Sequence, residues 1–314
     1  MTESQITSSD QIIETAQRLG QEDGPFRVAI AAAEDAAVLA AAAEATKIGI
    51  ARFTLYGSTA KLRELTESNG LDFSLFSVSD SDNPTKSAQL AAAAADAGDA
   101  DVIMKGFLST SALLRTVLSH EFSLRGKNTL SHVAVLDIPG YHKLLGITDG
   151  GMVVKPDFEQ KVQLIENAVE LFHALGYDKP KVAVSAPIDY LDPKIPATIE
   201  ASQLSSMAKD NLITGCEVFG PVTFEAATNR EIALGRGIKN HVAGDADIFL
   251  VDSIEECNVV SKVLILFSPA TFAGVIVGAK VPVSLVSRTD SARNKLASIS
   301  IACLLARHYK VRAK

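Results

Sequence analysis

Arg27-Val-Ala-Ile-Ala-Ala32, then the Ala-rich stretch from Glu34 to Thr46, then Ala51-Arg-Phe-Thr-Leu-Tyr56, together decide the fold. The outer runs are short and almost wholly apolar, as strands buried on both faces must be. The stretch between them is made of strong helix formers over a helical length. Strand, helix and strand inside residues 27–56 make a βαβ unit, whose crossover forces the two strands to run parallel.

The same grammar extends in the C-terminal direction. Gly57-Ser58 closes the second strand and a helix follows from about Thr59 to Ser68. Phe73 to Val78 reads as a third strand, and Pro84 sits at the start of a helix through the Ala91–Ala95 run. Val102-Ile-Met-Lys105 is a strand that meets Gly106, with a helix opening near Ser109-Thr-Ser111. Leu130 to Leu136 and Leu144 to Thr148 are further strands. Beyond them, Pro156 and Asp157 open an amphipathic helix that ends at Gly176. Strands are expected at Lys181–Ser185, Gly215–Gly220, Ile248–Val251, Gly274–Gly278 and Val283–Val286. Helices are expected from Pro196, near Glu225–Leu234, behind Val251 and from Ala292 to His308. The fold class is α/β with mainly parallel sheets covered on both faces. No repeat, low-complexity linker or charge block separates the two halves.

Composition narrows the function. The chain has 314 residues, 47% hydrophobic and 21% charged, which suits folded protein and not disorder. Thirty Lys and Arg stand against 37 Asp and Glu, a net charge of -7. That balance argues against nucleic-acid and anionic-membrane partners while leaving room for a small anion in a local basic pocket. The three cysteines, Cys216, Cys257 and Cys303, are odd in number and widely spaced, so neither a disulfide framework nor a zinc knuckle is expected. Residues 1–10 show no basic and apolar leader. The longest uncharged stretch, Val263 to Ala279, is broken by Ser268, Pro269 and Gly274 and is shorter than the roughly 20 residues of a spanning helix. The expectation is a cytoplasmic chain with no metal.

No G-x-x-x-x-G-K-[ST] and no G-x-G-x-x-G occurs, and Gly235-Arg-Gly237 follows a helix instead of a strand. Walker-type nucleotide hydrolysis and a Rossmann dinucleotide site are therefore unsupported. In open parallel sheets, ligands sit at the carboxyl ends of strands beside helix N-termini. Two segments have that arrangement. Val286-Ser-Arg-Thr-Asp-Ser291 runs from an apolar strand into a polar cluster that opens a helix, and Ser287, Arg288 and Ser291 there suit a phosphate. A helix N-cap with a surface Arg is the alternative reading. Met104-Lys105-Gly106 offers a cation at the end of another strand, with an exposed strand-end Lys as its alternative. Ser131 and His132 start a strand and face opposite ways, and a lone His there suits a structural role as well as a base. Glu255-Glu256 and Asp245-Ala-Asp247 lack the spacing to put two ligands on one metal.

Several motifs in one order carry a resemblance. They are Lys105-Gly106, Leu130-Ser-His-Val-Ala-Val135, Pro196-Ala-Thr-Ile-Glu-Ala201, Ala243-Gly-Asp-Ala-Asp-Ile248, Val277-Gly-Ala-Lys-Val-Pro282 and Ser287-Arg288. Through them, from about residue 100 to 305, the chain resembles the phosphate acetyl/butyryltransferase family. It is most similar to the butyryl branch, by Ser131-His-Val-Ala-Val135 and Ile147-Thr-Asp149. The resemblance implies reversible acyl transfer between CoA and inorganic phosphate. It also implies two α/β domains with a cleft, similar to the isocitrate and isopropylmalate dehydrogenases. Domain I would be 1–147 plus 287–314, with the C-terminal helix returning to it, and domain II 148–286.

By the same resemblance, Ser287, Arg288 and Asp290 are the catalytic candidates. Lys105, Gly106, Ser131, Asn258, Ser291 and Asn294 are candidates for substrate binding. The acetyl branch has an Asp seven residues after the Ser of its Ser-Arg pair, where this chain has Asn294, which accepts no proton; Asp290 is the available substitute. No tightly bound cofactor is implied, CoA and phosphate being substrates, and a homodimer or higher oligomer is. Two alternatives stand beside the transferase. One is a CoA- or acyl-phosphate-binding homologue without turnover, suggested by Asn294; the other is a metal-dependent NAD dehydrogenase of the same architecture.

Overall fold

The computed structural model describes residues 5–285 and 290–312. The chain forms two units, Asp10–Lys127 with Ala273–Lys314, and Met1–Ser9 with Asn128–Phe272. The resemblance implied boundaries at 147/148 and 286/287; the compact units divide the chain at 9/10, 127/128 and 272/273. An antiparallel hairpin accounts for the division at 127/128 instead of 147/148: residues 131–137 pair with 144–148, so the two strands belong to one sheet.

The first unit opens with α1 (Ser9–Glu22), which the strand-helix pattern did not reveal. It continues through β1 (Phe26–Ala31), α2 (Ala36–Lys47), β2 (Ala51–Gly57), α3 (Thr59–Ser68) and β3 (Phe76–Asp80). Then come α4 (Pro84–Asp96), β4 (Val102–Lys105) and α5 (Thr110–Val117). Three of these helices, α2, α4 and α5, start where a short polar side chain accepts from a free backbone N–H. Asp35 accepts from Ala37 and Val38, Asn83 from Lys86 with Pro84 in the first turn, and Ser109 from Ala112. The expected strand from Phe73 begins instead with a 3-10 turn over Phe73–Leu75, because Asp72 accepts from the Ser74 N–H and tightens the chain there.

The second unit holds β5 (Ser131–Asp137), β6 (Leu144–Thr148), α6 (Phe158–Ala174), β7 (Lys181–Ser185) and α7 (Pro196–Lys209). It ends with β8 (Glu217–Val222), α8 (Phe224–Thr228), α9 (Arg230–Gly235), β9 (Ile248–Leu250) and α10 (Ile254–Phe267). Its strand order is β5-β6-β9-β7-β8, parallel apart from the β5–β6 pair. Asp157 and Gln160 make a reciprocal capping box that starts α6. The single helix expected near Glu225–Leu234 is two helices, because Asn229 leaves helical geometry and its side chain accepts from Glu231 and Ile232 to begin again. The core between sheet and helices is Leu145, Ile147, Phe249, Val222 and Ala227, all buried.

The chain returns to the first unit as β10 (Thr271–Val277), β11 (Val283–Ser284) and α11 (Ala292–Arg312). The sheet there is β3-β2-β1-β4-β11-β10, with only β10 antiparallel to its neighbour. Both sheets are thus mostly parallel, as the alternating pattern requires. Among the described residues no helix is long and apolar enough to cross a membrane.

Candidate active site

In the first unit the carboxyl edge of the sheet is built from β1, β4 and β11. Lys105 ends β4 in register with Ala31. Its half-buried ammonium donates to the carbonyls of Gly106 and Leu108, each at 3.2 Å. Gly106 is required there by close approach. A Cβ on it would lie 2.0 Å from the Ala32 carbonyl oxygen, and Ala32 itself holds a left-handed φ of 52°. The Gly106 and Phe107 N–H groups donate to Ala31 and Ala32 at 2.9 and 2.5 Å, locking the ends of β1 and β4 together.

Ser284 of β11 pairs with Met104, so this strand approaches the same edge one position from Lys105. Ser287 and Arg288 lie outside the described residues. The Asp290 carbonyl accepts from the ammonium of Lys295, a buried lysine that sequence reasoning missed. Ser291 is the N-cap of α11, its Oγ accepting from the Asn294 N–H at 3.1 Å. Asn294 is 8% exposed in the first turn of α11, and its carbonyl accepts from Ser298. Asp290, Ser291 and Asn294 therefore come together at one helix start. The capping alternative holds for Ser291, and a cap leaves the other first-turn N–H groups to favour an anion.

In the second unit the carboxyl edge holds Ser131, His132 and Asp149. Ser131 is fully buried and its Oγ accepts from Asn167 at 2.9 Å, inside a network that also ties Asn128 and Thr129. The His132 ring packs 6.1 Å from Phe272 and against Gly150, which also meets Cys257 Sγ. Asp149, buried, gathers four backbone N–H groups: His132 at 3.0 Å, Gly151 at 2.8 Å, Met152 at 3.2 Å and Val153 at 2.8 Å. Asn258 is exposed on α10 and is not hydrogen-bonded to Ser131. Lys161 is buried between Glu200 and Asp252, and Glu256 accepts from Ser185 Oγ at 2.6 Å. Sequence reasoning missed Asp149 and Lys161 as organising groups, because their partners are backbone atoms or residues far along the chain.

Burial pushes the Cys216 and Cys257 thiols up to about 12 and raises Cys303 further, so all three are protonated at neutral pH. Among the described residues no group of His, Cys, Asp or Glu is placed to hold a metal ion. The first-unit edge offers a fixed ammonium at the end of β4, and α11 offers a capped helix start; each is a setting that favours an anionic oxygen.

Fold comparison gives the class. The branched-chain phosphotransacylase from Enterococcus faecalis V583 matches at a TM-score of 0.81 and 30% identity, over 90% of this chain and 99% of that one. A putative 4-hydroxythreonine-4-phosphate dehydrogenase from Salmonella typhimurium shares the fold alone, at a TM-score of 0.57 and 13% identity over 90% of this chain and 99% of that one. The class is thus an α/β acyltransferase with dehydrogenase-like architecture. A family model described as phosphate acetyl/butaryl transferase matches residues 82–303. The "Probable phosphate butyryltransferase" of Bacillus subtilis (strain 168) is 42% identical over 282 residues, 90% of this chain and 94% of the relative. The chain belongs to the phosphate acetyl/butyryltransferase family.

Proposed function

We propose that this protein transfers a short-chain acyl group, butyryl or acetyl-like, reversibly between CoA and inorganic phosphate. The observation that carries the reading is the Lys105 ammonium, held by two carbonyls at the carboxyl edge of β4 beside β11, which leads toward Ser287-Arg288. In the direction of acyl-CoA synthesis, the CoA sulfur attacks the carbonyl carbon of the acyl phosphate. The S–C bond forms, the C–O bond to phosphorus breaks, and the phosphate leaves with the electron pair. Arg288 and Lys105 hold the phosphoryl oxygens. Ser287 donates to the thiol or to the developing oxyanion, and Asp290 orients Arg288 or takes the thiol proton. Lys105, Gly106, Ser291 and Asn294 bind the phosphate on the first unit; Ser131 and Asn258 of the second unit are the remaining candidates for substrate binding. Transfer is direct within a ternary complex, and the raised cysteine pKa values support that over an acyl-cysteine intermediate.

No tightly bound cofactor takes part, and the protein works in the cytoplasm. It acts as a homodimer: Val259, Val263, Leu266 and Phe267 form an exposed apolar stripe at helical spacing on α10, which a second copy would cover. Light scattering on Phe267→Asp checks this, a monomer being the expected result and an unchanged wild-type dimer the refuting one.

The test of activity follows free thiol from acetyl-, propionyl-, butyryl- and isobutyryl-CoA, with and without phosphate, in wild type and Arg288→Ala. Phosphate-dependent release that collapses in the variant establishes the transferase and ranks its acyl groups. Release independent of phosphate would mean hydrolysis and sink the mechanism. CoA binding without any release would favour the binding homologue.

A further inference from the structure

At the end of the first unit's sheet opposite Lys105, the starts of β1, β4 and β11 surround an open cleft of about 230 Å³. Its polar groups are Arg27, Asp101, Lys280, Tyr309 and Lys310. Asp101, its side chain 4% exposed, accepts from the Arg27 N–H at 3.0 Å and from the Arg27 guanidinium at 2.5 and 3.3 Å, and it pairs with Lys310 at 2.7 Å. One carboxylate thus fixes two cations. Lys280, which has no ion-pair partner among the described residues, adds a third at the mouth. Asp99, the other carboxylate that acts on Arg27, is solvent-exposed and therefore screened.

The end of α4 also borders the cleft, and a helix C-terminus attracts cations. Its last carbonyls are already occupied, however. Ala93 accepts from Ala97, Ala94 from Asp99 and Ala100, and Ala95 from Gly98. The excess positive charge is left for something else. The remaining wall, including Val281, Pro282 and Ala306, is aliphatic. The volume is below the roughly 300 Å³ at which drug-sized sites begin, so the occupant has few heavy atoms. A bare phosphate would leave the apolar wall uncovered.

We propose that this cleft binds a short aliphatic carboxylate, its head on Lys280 and Lys310 and its tail against Val281, Pro282 and Ala306. The proposal stands apart from the transferase reading, since the cleft lies at the opposite edge of the sheet from Lys105.

Calorimetric titration of the whole protein with butyrate, inorganic phosphate and butylamine tests it, on wild type and Lys280→Glu. Lys280 is exposed, so the variant should fold, and a thermal melt verifies that. Butyrate binding at least tenfold weaker in the variant, with no butylamine binding, is expected. In parallel, the ring resonances of Tyr309, assigned through Tyr309→Phe, should shift as butyrate is added. Butyrate that binds both forms equally, or leaves Tyr309 unmoved, overturns the proposal. So does the absence of any heat at millimolar butyrate. Phosphate that loses affinity in Lys280→Glu as butyrate does would overturn the carboxylate class.

Discussion

Replacing Gly106 with alanine should damage both the stability of the first unit and turnover. The new Cβ would stand 2.0 Å from the Ala32 carbonyl oxygen, 2.7 Å from its carbon and 2.8 Å from the Ala31 oxygen. All three are backbone atoms, and Ala32 is already held at a φ of 52°, so no flexible side chain can yield. Relief requires β1 and β4 to part by about 1 Å at their ends. Overpacking of this kind costs about 1–3 kcal/mol. The bonds from Gly106 and Phe107 to Ala31 and Ala32 would weaken as well, at roughly 0.5–1.5 kcal/mol each, so the total is about 2–6 kcal/mol. Lys105 is tied to the moving segment through the Gly106 and Leu108 carbonyls. A displacement of about 1 Å in a positioning group can cost on the order of 100-fold in rate. Differential scanning calorimetry and phosphate-dependent thiol release measure the two effects. Gly235→Ala is the control: at the last position of α9, with open space within 4 Å of where a Cβ would stand, it should be neutral or stabilising by about 0.4–1 kcal/mol. Should Gly106→Ala melt and turn over like the control, the Ala32 contact does not set the position of Lys105.

Asp149→Asn keeps the shape but removes the charge that four N–H groups share, so the second unit should lose about 2–3 kcal/mol. Hydrogen exchange should accelerate at residues 151–153, and unchanged protection there would refute the role. For Asp245, burial works to raise the carboxyl, but Lys143, Lys181 and His142 overcome it and hold the group at about 2. A depressed carboxylate stabilises fully above about pH 4, and that contribution fades as pH falls through about 2. Its side chain is 29% exposed, so the discounted contribution is on the order of 1–2 kcal/mol. Asp245→Asn should flatten the urea-unfolding curve of stability against pH between pH 4 and 2 by that amount, and an unaltered slope would count against the cluster. Asp247 has the opposite sign, because burial raises its carboxyl. Alkylation by iodoacetamide at neutral pH should be slow at all three cysteines, and rapid inactivation would reopen a thiol mechanism.

Local patterns made most of the fold legible. Apolar runs ended where β1, β2 and β4 end, and Asn83-Pro84 and Asp157 through Gln160 announced their helices by capping chemistry. The misses have non-local or competing causes. Asn229 looks like an ordinary helical position until its side chain caps a second helix. The need for glycine at 106 arises from Ala32, far back in the chain, and the buried charge of Lys161 depends on Glu200 and Asp252. Among the candidate site residues, the strand-end placing of Lys105 and the capping bond of Ser291 were readable because position along an element decides them. The burial of Ser131 against Asn167 was not, since it depends on how α6 packs on β5.

Asn294 bears on mechanism through magnitudes. A side-chain amide cannot take the thiol proton, and in this structure the residue is buried in the first turn of α11. A free thiol near pKa 8.5 is already a few per cent thiolate at neutral pH, so complete ionisation could gain only about 1.5 units, on the order of 2 kcal/mol. Holding thiol and acyl carbonyl in reacting geometry can supply roughly 7–11 kcal/mol. In the proposed mechanism the larger contribution rests on groups that fix position, among which the Lys105–Gly106–Ala32 lock and the start of α11 are the described candidates. Arg288→Ala should therefore reduce turnover far more than Asp290→Asn does. If Asp290→Asn proved equally severe, and its defect were relieved by raising pH toward the thiol pKa, Asp290 would be the base and proton removal would carry more of the barrier than positioning.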